Sequence, residues 1–454
     1  MEADRPPAPG RTAGSVGGLV NLASALRFLD AHTNLEAVAG RVEGLSLERM
    51  ERLAHVLGDP QDAYPVIHIT GTNGKGSVSR MVTGLLRAQG LSVGTYSSPH
   101  LERINERIAW NAEPVDDDTL GDLIGDVAAL EELAGVTPSY FEILTAAAFS
   151  HFAQVAVDVA VVEVGMLGRY DATNVADATV AVCTNIGRDH TDGAEGWRAA
   201  IAGEKVGIVK PGRTDVFVVG ERDRDLRPVF TGAGAAATWL AGEEYDLETD
   251  VRAVGGRMVS ATTPGGRYDD VFVPVLGAHQ AGNAAVALAT AEAFGGRSLA
   301  PDVVAEGFAD LTLPGRFEVV GRHPTVVVDV AHNPEGAAVT ADTLAEDLSL
   351  TGGLIVVVGL LGGRDAAEVL RSLGAADAGL VVTCSPDSPR AVPAAELAAI
   401  AESIGASAEA VPDPVDAVHR ALALATEDDV VLVTGSHYVA GPVRAALRDA
   451  ESVG

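Results

Sequence analysis

Cysteine is nearly absent, with only Cys183 and Cys384 among 454 residues. Each closes an apolar, β-like run (Val180 to Cys183, Leu380 to Cys384), where a lone thiol behaves as a small buried hydrophobe. That excludes a disulfide framework and a cysteine-based metal site. Basic side chains are also scarce, 32 against 63 acidic ones, for a formal net charge of −31. A surface so negative repels phosphate backbones and anionic lipid, so neither nucleic acid nor membrane is expected as a partner. It repels any anionic small molecule too, so a site for one must concentrate cations locally. No apolar run is long enough for a membrane span, and the first 18 residues lack the apolar stretch of a signal peptide. A soluble, cytoplasmic protein is expected.

What is present is ordinary for a globular chain: 47% hydrophobic and 21% charged residues. The length exceeds what one core supports, so two domains are expected. Residues 1–18 read as a flexible tail, and Asn21 to Val56 carries helical periodicity for an opening pair of helices. Apolar runs at Val66 to Ile69, Val93 to Tyr96, Val159 to Val164 and Val180 to Ile186 read as strands. Helical stretches at Val78 to Ala88 and Phe141 to Phe152 alternate with them. Strands apolar nearly throughout, separated by helices, predict a parallel sheet covered on both faces. Glu221 to Tyr268 predicts short antiparallel strands, and Leu276 to Phe294 an Ala-rich helix. After a break at Leu311 to Arg316 a second alternation starts, with strands at Val326 to Val330, Leu354 to Leu360, Leu380 to Cys384 and Val430 to Thr434. The fold class is thus α/β, a large parallel-sheet domain with a smaller one behind it.

The strongest local signal is strand, then Thr70-Gly71-Thr72-Asn73-Gly74-Lys75-Gly76-Ser77, then helix. Glycines let backbone N–H groups turn around phosphate oxygens, the helix start adds its positive dipole end, and Lys75 supplies a compact charge. The strict phosphate-loop pattern needs Gly where Ile69 stands and a hydroxyl where Gly76 stands. A magnesium-holding hydroxyl must therefore come from Ser77 or elsewhere. Ligands in open α/β sheets bind at the carboxyl edge. Glu163 ends a strand there, and a carboxylate beside a triphosphate suits Mg²⁺, though alone it reads equally as an acid ending a strand. The next strand exit, Asn185-Ile186-Gly187-Arg188-Asp189-His190, delivers His190 to the same edge, and Glu204-Lys205 follows. Singly, that histidine and that lysine read as surface groups.

Together the segments resemble the Mur-ligase superfamily, in its folylpolyglutamate synthase/dihydrofolate synthase branch. The matching stretches are 71–77, Tyr96-Ser97-Ser98-Pro99-His100-Leu101 with Glu106-Arg107-Ile108, Ser139-Tyr140-Phe141-Glu142 with Thr145, and Glu163 to Asn174. Asp189-His190-Thr191, Glu204 to Ile208, Leu313-Pro314-Gly315-Arg316-Phe317 and Asp329-Val330-Ala331-His332-Asn333-Pro334 complete them in family order. The resemblance implies a P-loop ATPase domain over 19–313 and a Rossmann-like glutamate-ligase domain over 314–454. It implies an ATP-dependent ligase that joins L-glutamate to a folate-type carboxylate through an acyl phosphate. Thr72, Asn73, Gly74, Lys75, Gly76 and Ser77 would hold ATP phosphates, and Asn283, Arg316, Asp329 and His332 the rest of the nucleotide. Ser98, Glu163 and His190 would ligate Mg²⁺, one of two such sites, with K⁺ as a further ion the family allows. Lys75, His190 and a carbamylated Lys205 would be catalytic. Leu45, Ser139, Tyr140, Phe141, Glu142, Tyr170, Asp171 and Ala172 would meet the pterin-bearing substrate.

Two departures stand out: Gly165-Met166-Leu167-Gly168-Arg169-Tyr170-Asp171 replaces the family's Gly-Leu-Gly-Gly-Arg-Leu-Asp, and Gly193-Ala194-Glu195-Gly196 follows Asp189-His190-Thr191 where Leu-Gly is usual. Both bear on which acid is accepted. The competing readings are another Mur-superfamily ligase, a non-catalytic ATP-binding subunit, and a plain P-loop hydrolase or kinase. A monomer acting on small molecules is expected.

Overall fold

The computed structural model describes residues 21–34, 46–188, 194–348 and 352–453. The chain opens with α1 (Leu22–Asp30) and α2 (Glu48–Val56), then β1 (Val66–Thr70), α3 (Lys75–Ala88) and β2 (Val93–Tyr96). An edge hairpin, β3 (Ile108–Trp110) and β4 (Glu113–Pro114), leads into α4 (Asp117–Ala134) and α5 (Tyr140–Gln154). Next come β5 (Val159–Glu163), β6 (Ala178–Cys183), α6 (Trp197–Lys205), β7 (Val216–Val219), α7 (Arg227–Thr231) and β8 (Ala237–Leu240).

These eight strands form one sheet in the order β4-β3-β2-β5-β1-β6-β7-β8. All but the β3 and β4 edge pairings are parallel. β1 is buried at every position and lies between β5 and β6, with Ile69 beside Glu163 and Thr70 beside Cys183. Chain order reverses at that point, so the loop after β1 and the ends of both neighbours converge on one crevice. One face packs on α3, the other on α1, α2, α4 and α5. Among the described residues, no helix is long and apolar enough to cross a membrane.

The region expected to hold only short antiparallel strands divides in two. β8 joins the parallel sheet, while β9 (Asp246–Ala253), β10 (Gly256–Thr263) and β11 (Gly266–Val273) form a separate antiparallel sheet. That small sheet packs on α8 (Ala278–Gly295), which also covers the main sheet beside α3, and α9 (Pro301–Ala309) follows.

The second alternation comprises β12 (Glu318–Arg322), β13 (Thr325–Val328), α10 (Pro334–Asp347), β14 (Leu354–Val358), α11 (Ala366–Ser372), β15 (Leu380–Thr383), α12 (Ala394–Ser403), β16 (Ala408–Ala410), α13 (Pro414–Leu424), β17 (Val430–Thr434) and α14 (His437–Val453). Its sheet order is β12-β13-β17-β14-β15-β16, with only β12 antiparallel, and apolar clusters cover both faces. The two domains are pinned by a buried cluster: Asp347 of α10 accepts from Arg257 Nη1 of β10 at 2.9 Å and from the Gly277 N–H at 2.6 Å. Both ion-pair side chains are nearly inaccessible, so their mutual bonding is what makes their burial tolerable.

Candidate active site

The loop leaving β1 is held open by backbone geometry. Gly71 has φ +148°, and a Cβ there would lie 1.8 Å from Thr184 Oγ1. Gly74 has φ +83°, and a Cβ there would lie 2.7 Å from Asn283 Oδ1 on α8. Only glycine meets both demands. The exit of β6 then fixes the loop. Thr184 Oγ1 donates to the Asn73 carbonyl at 2.6 Å, Asn185 Oδ1 accepts from the Asn73 N–H at 2.9 Å, and the Gly187 N–H donates to Thr72 Oγ1 at 2.9 Å. Lys75 Nζ curls back over the loop, donating to the Gly71 and Thr72 carbonyls at 3.2 and 3.3 Å. The expected helix begins at Lys75, so Gly76 and Ser77 lie in its first turn, where unpaired N–H groups attract anions.

Beside this loop sit the two described residues expected to hold metal. Glu163 is buried, and its Oε2 accepts from the Ser98 N–H at 3.4 Å. It lies 3.5 Å from where a Gly76 Cβ would be, so the missing side chain at 76 leaves room between loop and carboxylate. Burial pushes the Glu163 carboxyl upward, opposed by Lys75, Arg316, the Ser98 N–H and Arg80. Ser98 Oγ is buried with no hydrogen-bond partner. An orphaned hydroxyl next to a desolvated carboxylate is a donor set that fits a hard, oxygen-seeking cation. His190 lies outside the described residues, as does Leu45. Among the described residues no three His, Cys, Asp or Glu side chains form a metal cage, in keeping with Mg²⁺ taking much of its shell from phosphate and water. Lys205 is buried at the end of α6; its neighbour Glu204 lines the cleft.

The second domain meets the loop at the same point. Arg316 is half-buried, its Nη2 4.0 Å from the Gly76 Cβ position, and desolvation lowers its pKa against the pull of Asp329 and Glu163. His437, at the start of α14, stands 3.4 Å from both Arg316 Nη atoms; burial first, then Arg316, hold it well below its usual value. Asn333 Nδ2 donates to Asn73 Oδ1 at 3.1 Å across the domain boundary. Asp329 lines the cleft, but both its oxygens are engaged: Oδ2 accepts from the Phe317 N–H, Oδ1 from the Ala331 N–H and Thr340 Oγ1. It holds the loops carrying Arg316 and His332. His332 Nδ1 lies 2.8 Å from the Val330 carbonyl, which places the proton on that nitrogen.

One cleft of about 790 Å³ is lined by the loop, Ser98, Glu163, Arg316, Asp329, His332 and His437, and continues to most of the residues expected to meet the acid substrate. Ser139 and Glu142 are reciprocal caps of α5, and Glu142 also accepts from Arg49 Nε at 3.2 Å. The tip of the Phe141 ring abuts Gly165, 2.6 Å from where a Cβ would be, and Phe141 forms a wall with the half-exposed Tyr170. Tyr140 points into the core instead, its ring 5.6 Å from the Arg107 guanidinium carbon. Arg49, Arg364, Arg390 and His437 also line the cleft, although no sequence motif marks them. Only their places after strand ends could have flagged the last three.

Under the cleft floor, Asp171 accepts from the Met166 and Thr173 N–H groups at 2.9 and 3.0 Å and from Thr173 Oγ1. Burial raises Asp171 to about 6 against those bonds. His68 Nε2 donates to Thr173 Oγ1 at 2.8 Å, and burial, with Lys210 nearby, lowers His68 to about 3. The unfolded chain takes that proton near 6.5, so His68 contributes stability that is present above pH 6.5 and lost as pH falls toward 3. Between pH 7 and pH 5 the loss is about 2 kcal/mol. Asp171 acts in the opposite direction, so the difference between wild type and His68→Gln isolates the histidine. That difference in unfolding free energy should change by about 2 kcal/mol over the interval; a pH-independent difference rules out a buried neutral imidazole.

Comparison with known proteins extends this geometry. The Mur ligase middle domain matches residues 69–291 and the Mur ligase glutamate ligase domain matches residues 315–437. The dihydrofolate synthase/folylpolyglutamate synthase of Mycobacterium tuberculosis is 40% identical over 436 residues, covering 88% of this chain and 89% of its own. The structure of Mycobacterium tuberculosis folylpolyglutamate synthase complexed with ADP superposes with a TM-score of 0.87 at 38% identity, covering 94% of this chain and 98% of that one. A bifunctional folylpolyglutamate synthase/dihydrofolate synthase from Yersinia pestis, complexed with AMPPNP and a manganese ion, gives a TM-score of 0.81 at 30% identity, covering 96% and 100%.

Proposed function

Because the chain belongs to the Mur ligases, in their folylpolyglutamate synthase/dihydrofolate synthase branch, we propose that its cleft joins L-glutamate to the carboxylate of dihydropteroate or a folyl-glutamate, driven by ATP. The observation that carries the residue-level reading is the meeting of Lys75, Glu163, the orphaned Ser98 hydroxyl and Arg316 around Gly76.

The N–H groups of 71–77 and the Lys75 ammonium bind the β and γ phosphates. Arg316 adds a fixed, desolvated positive charge from the second domain. The acceptor carboxylate, laid between Phe141, Tyr170 and the loop, attacks the γ-phosphorus in line. The bond from that phosphorus to the β–γ bridging oxygen breaks, releasing ADP and leaving an acyl phosphate. The deprotonated amine of glutamate then attacks the acyl carbon, and the tetrahedral adduct expels phosphate to form the amide. Bound Mg²⁺ supplies neutralisation of phosphoryl charge; Ser98 and Glu163 would hold it, with His190 and a carbamylated Lys205 completing the set the family implies. Walls from both domains keep water from the acyl phosphate.

Action as a monomer in the cytoplasm is part of this proposal. The experiment is ADP release from ATP with each substrate omitted in turn. Release should need both L-glutamate and a pteroate or folate acceptor, with dihydropteroate and tetrahydrofolate compared to set the preference. ADP release unaffected by omitting either would defeat the ligase reading, and dependence on glutamate with some other acid would favour a different Mur ligase.

A further inference from the structure

The loop of residues 97–107, which carries Ser98, leaves the first domain's sheet yet is built into the second domain. Leu101 packs in the second domain's apolar cluster, its side chain 3.1 Å from where a Gly315 Cβ would be. Glu102 is almost inaccessible and is gripped by two arginines of α14: Arg444 Nη1 on Oε1, and Arg448 Nη2 on Oε2 at 2.8 Å. Arg444 is itself fixed by a two-point pair with Glu318 of β12, at 2.7 Å on each oxygen. α14 comes so close that a Cβ at Gly441 would lie 1.9 Å from the Leu101 carbonyl oxygen.

The loop is also stiff. The Glu106 carboxylate accepts from the N–H groups of Leu101, Glu102 and Arg103 at 2.8, 3.0 and 2.8 Å. The Ser97 N–H donates to the Arg107 carbonyl at 3.0 Å, and Arg107 Nε to His100 Nδ1 at 3.0 Å. A displacement of Glu102 therefore carries Ser98 with it rather than being absorbed in between.

We propose that the grip of Arg444 and Arg448 on Glu102, with α14 seated at Gly441, is a positioning device that lets the second domain's placement decide whether Ser98 stands beside Glu163. Metal affinity and domain placement are then one linked equilibrium: whatever seats α14 on the loop tightens the cation, and the cation in turn seats α14. This rests on reading Ser98 and Glu163 as the metal-holding pair. It goes further in assigning a role to residues far along the chain that touch neither nucleotide nor metal.

Mn²⁺ is the probe, titrated into the full-length protein with saturating ADP, with free Mn²⁺ read by electron paramagnetic resonance. Two variants break the device differently. Glu102→Gln removes the charge the arginines hold. Gly441→Ala pushes α14 off the Leu101 carbonyl while favouring the helix itself, so it does not weaken the second domain through helix propensity. Each should weaken Mn²⁺ binding about tenfold, with ADP affinity in the absence of metal unchanged. Ser98→Ala and Glu163→Gln, made in parallel, should weaken it at least as much. If both of those lose Mn²⁺ while Glu102→Gln and Gly441→Ala bind it like wild type, the coupling is overturned and the grip is only structural. If all four bind it like wild type, the metal site itself is misassigned.

Discussion

Lys75→Met is expected to lower ATP-dependent ADP release about a thousandfold, with the protein still folded. The loop does not need the ammonium to keep its shape, since Thr184, Asn185 and Gly187 fix it through bonds to Thr72 and Asn73. What methionine removes is the compact charge that the Gly71 and Thr72 carbonyls hold in position over the loop. Losing one preorganised donor at a site of developing charge typically lowers turnover by about 10² to 10³. The upper end applies here because Lys75 is the one cation within residues 70–77, and the arginines lining the cleft come from other segments. Lys75→Arg should not restore the function: a planar, five-donor fork cannot occupy the position of a point charge between two loop carbonyls. Steady-state ADP release, with circular dichroism to confirm folding, checks this. Turnover within tenfold of wild type would mean the loop does not hold the phosphates that react.

Much of this was legible in the sequence because its signals are local. β1, the glycine turn and Lys75 lie within a dozen residues, and β5 reads as a strand ending in Glu163 because Val159-Ala160-Val161-Val162 is apolar throughout. α4 escaped, since Gly121 and Gly125 depress helix propensity and mask its face. The structure gives the reason for Gly121: a Cβ there would lie 3.1 Å from the Leu22 N of α1, so the helices cross where no side chain stands. β7 is too short to establish a period, and β8 falls in a stretch that reads as antiparallel because sequence does not show which edge a strand joins. Within the site, the Ser139 to Glu142 segment reads from sequence as one substrate-facing unit. Helical rotation of about 100° per residue turns Tyr140 into the core while Phe141 faces the cleft. Ser98 had no local sign at all; it was reached through resemblance. The grip on Glu102 joins positions 342 and 346 residues apart, a contact that pattern reading along the chain does not reach.

Glu163→Gln separates function from stability because the two effects have opposite signs. In the metal-free protein the Glu163 carboxylate is desolvated, and burial outweighs Lys75, Arg316 and the Ser98 N–H in raising its pKa. Its charged form is therefore disfavoured by folding, so at neutral pH the ionised side chain is a net cost to the fold. Glutamine has nearly the same shape, and its carbonyl can still accept from the Ser98 N–H. The variant should therefore melt at a higher temperature than wild type in the presence of a chelator. With Mg²⁺ and ADP the order should reverse, because a ligand stabilises only the state that binds it and wild type alone keeps the anionic donor. Ligase turnover should fall about a hundredfold or more, as expected when a metal's charged oxygen donor is replaced by a neutral one. Thermal melts in chelator and in Mg²⁺·ADP, beside ADP-release rates, test all three statements together. A variant that melts lower in both conditions would make Glu163 a structural acid. One that melts higher in chelator yet turns over normally would leave the fold reading intact and move the metal elsewhere. Only the crossing of the two melting orders, joined to lost turnover, fits a carboxylate kept buried at the expense of stability because a cation needs it there.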